Sequence, residues 1–165
     1  MKLLILLVFI TSCSSNYTRT QSSDYVVTTW KIFDKVYTDN WSIKELISTL
    51  GHTKEKYTHP QKKHSIAWLY RDKKTNFQEW SFEINKEKKI INVLYHPNES
   101  YRDEFTIEKM INHWKDLNCK HKQKQELSPG LVKTIKYIEC NNGSHVIRYN
   151  RYNEVESVSV KNSKY

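Results

Sequence analysis

Three cysteines are the residues whose chemistry can be argued from position alone. Cys13 ends the string Ile10-Thr11-Ser12-Cys13, directly behind an unbroken apolar run from Leu3 to Ile10. Small residues before a thiol leave the backbone open to a peptidase, and the thiol can accept a diacylglyceryl group. Cys119 and Cys140 form a second pair. In an exported chain, an even pair of thiols is most simply a disulfide. It would close a loop of about 22 residues, which the loop-entropy treatment values at roughly 3 kcal/mol. Free thiols and a metal site are the other readings. Cys119-x-His121 and Cys140-x4-His145 would offer four ligands, but common zinc sites favour tight CxxC and HxxxH pairs. No metal or other cofactor is expected.

The remaining titratable groups carry less. Seven histidines are scattered along the chain. His52, His59 and His64 share one segment and could clamp a metal, although a solvated loop accounts for them. Glu79 and Glu83 could be read as an acid/base pair. On an exposed strand face they would instead solvate the sheet or meet lysines. The sequence holds no GxSxG, SxxK or HExxH, and none of the glycine-rich phosphate cradles. A hydrolase of cell-wall polymers would need a cleft with paired carboxylates. The expectation is a protein that is not an enzyme.

The first twelve residues read as a signal peptide. Lys2 supplies the positive start, and the apolar run is too short to cross about 30 Å of hydrocarbon. With Cys13, the segment resembles the bacterial lipobox. That resemblance implies cleavage before Cys13, lipid such as palmitate on its thiol, and a chain anchored in the cell envelope. Each buried methylene contributes about 0.8 kcal/mol to such anchoring. Residues 13–24, without periodicity or aliphatic side chains, then form a tether. Ser14 stands where an inner-membrane retention signal would place Asp. In a cell with two membranes, the outer one, facing the periplasm, is therefore the expected home.

The formal charge is +9, from 27 Lys and Arg against 18 Asp and Glu. An exported basic protein meets anionic lipid, anionic polysaccharide and acidic proteins. Nucleic acid suits the charge but not the export signal. The lysine-rich stretches at 54–63 and 120–124 read as solvated faces. Eleven Tyr and five Trp supply large core side chains, or a binding face. Tyr70, Trp80, Tyr137 and Tyr149 are the candidates for that face.

Hydrophobic periodicity sets the scaffold. Helices are predicted over 25–37, 42–50 and 106–117. Ser42-x-x-Glu45 has the form of a capping box, and Gly51 that of a C-cap. A polar loop follows over 52–65. Strands are predicted over 66–71, 77–85, 89–96, 120–127, 131–140, 144–151 and 154–161. Trp80, Phe82 and Ile84 alternate with Glu79, Ser81 and Glu83, giving one dry and one wet face. The class is α+β, with helices packed on antiparallel sheet. The order helix, strand, strand, strand occurs twice. Two tandem units are therefore expected, 25–98 and 99–165, each with its own sheet of about three strands.

The segment from Asp39 to His96 resembles the SmpA/OmlA-type domain of the small lipoprotein subunit of the bacterial β-barrel assembly machine. The resemblance rests on Leu50-Gly51 at the end of a short helix and on Trp68-Leu69-Tyr70 in the strand that follows the loop. The doubled unit resembles the architecture of the β-lactamase inhibitory protein, which binds an enzyme over a concave sheet. These likenesses imply a non-catalytic module that binds an envelope protein or an anionic surface, with a role in outer-membrane biogenesis or maintenance. The alternative is an inhibitor or immunity-type lipoprotein that blocks an exported enzyme.

Cells expressing Cys13→Ala should release the protein from the membrane fraction and fail to label it with palmitate. Membrane fractionation with palmitate incorporation unchanged in the variant would refute lipidation at Cys13.

Overall fold

The capping box at Ser42 forms as the sequence predicts. The Ser42 hydroxyl accepts the Glu45 N–H at 3.2 Å, and the Glu45 carboxylate accepts the Ser42 N–H at 3.0 Å. With these bonds, and then Lys35 at 3.1 Å, the Glu45 carboxyl is held down to about 2. This start fixes α2, Ile43–Leu50, which ends at Gly51 with φ of 80°. That left-handed turn is the conformation for which glycine is favoured. The computed structural model describes residues 20–38, 41–58, 65–71, 78–128 and 131–164, with the backbone alone for 20–23, 127, 128 and 131–133. The predicted signal peptide, Cys13, residues 14–19, His59 and His64 lie outside the described residues.

Helix α1 runs Thr20–Tyr37. It starts earlier than periodicity predicts, so Thr20–Asp24 belong to the helix rather than to the tether. No Gly or Pro interrupts this stretch, and the buried face of Thr29, Ile32, Phe33 and Val36 pays for the β-branched run at 26–29. The third helix, α3, is Ile107–His113, shorter than expected. Thr106 caps its start, Ile107, Met110 and Trp114 are buried, and the Leu117 N–H turns back onto Trp114 O at 2.9 Å.

The strands are β1 Lys56–Thr58, β2 Ile66–Arg71, β3 Gln78–Ile84, β4 Ile90–Tyr95, β5 Cys119–Ser128, β6 Leu131–Cys140, β7 His145–Tyr149 and β8 Val155–Lys161. Strand β1 replaces part of the expected polar loop. Three residues are too few to show alternation, yet Tyr57 and Thr58 favour strand and the edge of β2 offers a partner. Lys56 pairs with Trp68 across that edge and sets its ammonium over the indole ring at 4.2 Å.

The α+β class is observed, with one continuous antiparallel sheet in the order β1-β2-β3-β4-β8-β7-β6-β5. The two separate sheets expected from the sequence are therefore merged. The junction pairs β4 with β8 from Asn92↔Lys161 to Tyr95↔Val158. Left apart, each of these strands would expose a hydrophobic edge, and pairing removes both. Each half of the sheet is a four-stranded meander, and the two meet through their last strands.

All the described helices cover the same sheet face. Phe33 of α1, fully buried, meets the rings of Trp80, Tyr95 and Trp114 at 5.8–5.9 Å. Trp41 packs on Phe82, and Tyr37 and Trp114 both close over His145. His145 is 1% exposed, with Nδ1 2.8 Å from the Ser144 hydroxyl. Burial first, and the nearby His113 second, lower its pKa to about 4. Cys119 and Cys140 are cross-strand partners and form a disulfide that ties β5 to β6.

Two outcomes follow. Replacing both cysteines, as Cys119→Ala/Cys140→Ala, should lower the unfolding free energy by about 2–4 kcal/mol, read from the urea midpoint. An unchanged midpoint would contradict the staple. Between the ordinary histidine value near 6.5 and about 4, the unfolded chain binds a proton at residue 145 that the folded chain refuses. Stability is therefore lost as pH falls through that window, by roughly 3 kcal/mol from this residue. His145→Gln should flatten the loss measured between pH 7 and pH 4.5. An equally steep loss in the variant would contradict the assignment.

Candidate functional site

The four candidate aromatics do not share one face. Tyr70 and Trp80 are cross-strand partners, so both point toward the helices. Trp80 is 2% exposed, stacked on Phe82 and against Tyr95. The Tyr70 hydroxyl donates to Gly51 O at 3.0 Å, and burial pushes its pKa up to about 12. Tyr149 is half-buried against the same core, with its hydroxyl 3.3 Å from His121 Nδ1. Only Tyr137 points to the other side, opposite Arg148 and Lys122. The expected binding face is thus corrected. Trp80 shares the parity of Phe82 and Ile84, the dry face of β3, and its pairing carries Tyr70 with it.

The carboxylates Glu79 and Glu83 stand four residues apart on β3, about 13 Å along a strand. That exceeds the carboxylate spacings of about 5–9.5 Å used in glycoside hydrolysis. Glu79 accepts from the Asn98 amide at 3.3 Å, and Glu83 is 9% exposed. His52 is exposed on the segment after α2. Among the described residues, no three His, Cys, Asp or Glu side chains gather where a metal could sit. Cys119 and Cys140 are committed to each other rather than to a metal.

What the strands do position is the sheet face turned away from the helices. Alternation and register carry one row from strand to strand: Leu69↔Ser81, Ser81↔Leu94, Leu94↔Ser159, Ser159↔Val146, Val146↔Glu139 and Glu139↔Lys120. A second row reads Ser157, Arg148, Tyr137 and Lys122. No described helix packs over these rows. Ser81, Ser157 and Ser159 make a low floor, and the Ser159 hydroxyl donates to Asn92 Oδ1 at 3.1 Å. Leu94, Val146 and Tyr137 are half-buried, while Arg148, Lys120 and Lys122 are exposed. Lys122 pairs with Glu139 at 2.6 Å, a hydrogen bond that raises the pKa of its ammonium.

Eight strands at about 4.8 Å spacing make this face roughly 34 Å across. That is the width of a standard protein–protein interface, which buries about 800 Å² per partner. Tyr and Arg are the residue types that anchor such interfaces. The face offers hydrogen-bonding groups beside half-buried apolar side chains. Sequence alternation located the dry face of β3. It did not reveal that the opposite faces of all the strands would join into one surface, because that depends on the β4–β8 junction.

No family model matches this sequence, and no curated protein matches it. Among solved structures, a DUF4309 family protein, YjgB from Bacillus subtilis subsp. subtilis str. 168, is similar with a TM-score of 0.46 and 12% identity. The likeness covers 86% of this chain and 99% of that chain.

Proposed function

We propose that this protein is a membrane-anchored, non-catalytic lipoprotein of the cell envelope that binds another envelope protein over its helix-free sheet face. The observation that carries the reading is that face, continuous across both halves of the chain, with Arg148 and Tyr137 on β7 and β6 in its second half. The lipobox-like segment ending at Cys13 supports anchoring, and the Cys119–Cys140 disulfide suits an oxidising compartment. Only residues 14–19 separate Cys13 from the first residue of α1. Such a connection can reach at most about 25 Å, so the domain would work close to its membrane. In a two-membrane cell that membrane is the outer one, and the SmpA/OmlA-like segment favours a role in its biogenesis or maintenance. The anionic surface of that membrane is a second contact for a chain of charge +9.

The tandem-unit reading belongs here as well. The strand order is unchanged when β1–β4 are exchanged with β5–β8, as a doubled helix-plus-meander unit would give. This favours an architecture like that of the β-lactamase inhibitory protein. The inhibitor or immunity reading would use the same face, but Tyr70, Trp80 and Tyr149 are committed to the core side and leave it fewer aromatic anchors.

A photo-crosslinking residue at Arg148 should trap one discrete envelope protein in cells, and Tyr137→Ala should reduce that adduct at least tenfold. A smear of unrelated neighbours, or an adduct indifferent to Tyr137, would overturn the reading.

A further inference from the structure

A groove of about 630 Å³ lies between the start of α2 and the β2–β3 pair. Its floor is apolar, built from Ile43 of α2, Ile66 and Trp68 of β2, and Ile84 of β3. Ile66 is 46% exposed, an unusual state for a large aliphatic side chain on a strand. The volume falls in the range of about 300–1,000 Å³ typical of small-molecule sites. The mouth is basic. Lys86 and Lys88 line it from the β3–β4 turn, both are exposed, and neither has a carboxylate partner among the described residues. Glu87, between them in sequence, is not part of the lining.

Two further observations point to a ligand. Ser65 lines the groove and is 5% exposed, yet its hydroxyl is buried without a hydrogen-bond partner. Buried hydroxyls are ordinarily bonded, so this one is a donor in waiting. Lys88 holds φ of 60°, in the left-handed region where glycine or asparagine is favoured. The turn thus keeps a lysine at the mouth in spite of the backbone preference.

We propose that this groove binds a long-chain fatty acid, with the acyl chain along the isoleucines and Trp68 and the carboxylate between Lys86, Lys88 and the Ser65 hydroxyl. An inorganic anion alone would make no use of the apolar floor. A neutral hydrocarbon would make no use of the lysines. The site is separate from the helix-free face, because Ile66, Trp68 and Ile84 have the helix-side parity of Phe82.

The test uses the full chain with Cys13→Ala, so that no attached lipid competes, and 9,10-dibromostearate, which quenches nearby tryptophan. Saturable quenching is expected, and it should largely vanish in Trp68→Phe. Lys86→Glu/Lys88→Glu should weaken binding at least tenfold and Ser65→Ala about tenfold. Both variants should keep the wild-type urea midpoint. In competition, affinity should rise from octanoate to laurate to palmitate, about fourfold for each methylene buried. Quenching that persists in Trp68→Phe, affinity independent of chain length, or binding unchanged by the lysine reversal would each overturn the proposal. Crosslinking at Arg148 is a separate readout, so failure here leaves the sheet-face reading standing or falling by itself.

Discussion

The pairing of β4 with β8 is the contact on which the rest of the molecule depends. Each strand ends its own meander and turns buried apolar residues toward the helices. Val93 and Tyr95 on β4 meet Val160 and Val158 on β8, all within the buried core. Their neighbours Asn92, Leu94 and Ser159 turn the other way. One junction therefore does two things. It merges two apolar faces into a floor wide enough for all three helices, and it joins two more polar faces into a single open surface.

The helix side is filled with aromatic volume rather than aliphatic volume. Phe33, Trp80, Phe82, Tyr95, Phe105 and Trp114 are buried there and contact one another in offset and edge-on arrangements. Such pairs add about 0.5–1.5 kcal/mol beyond the area they bury. The abundance of Tyr and Trp in the composition is thus spent mainly on the core. The Tyr25 and Tyr95 hydroxyls in this layer bond each other at 3.1 Å, and their burial raises both pKa values, whereas Thr29 Oγ1 and the indole nitrogens of Trp80 and Trp114 are buried without a hydrogen-bond partner. His145 is kept neutral in the same layer, which makes the fold sensitive to acid.

Local signals in the sequence were legible where short-range chemistry decides. Ser42, Glu45 and Gly51 mark α2 because capping bonds reach only three or four residues. The alternation of β3 placed Trp80, Phe82 and Ile84 on one side correctly. The Cys119–Cys140 bond was readable from the even pair of cysteines together with the expectation of export. Features set by distant partners were not legible. β1 exists because β2 presents an edge, and α1 reaches back to Thr20 because its later turns are pinned to the sheet. The four aromatic candidates were grouped by type, whereas the register divides them between two faces. The groove beside Ile66 combines side chains from α2, β2 and β3 that no sequence window contains together.

The sheet face away from the helices is the proposed working surface. Methyl-resolved NMR of the full chain with Cys13→Ala, titrated with detergent-solubilised envelope proteins, tests this most directly. Shifts or broadening are expected at Leu69, Leu94 and Val146, with Val27, exposed on α1, unaffected. Perturbation at Val27 and the helix surface, with Leu69, Leu94 and Val146 unchanged, would contradict it.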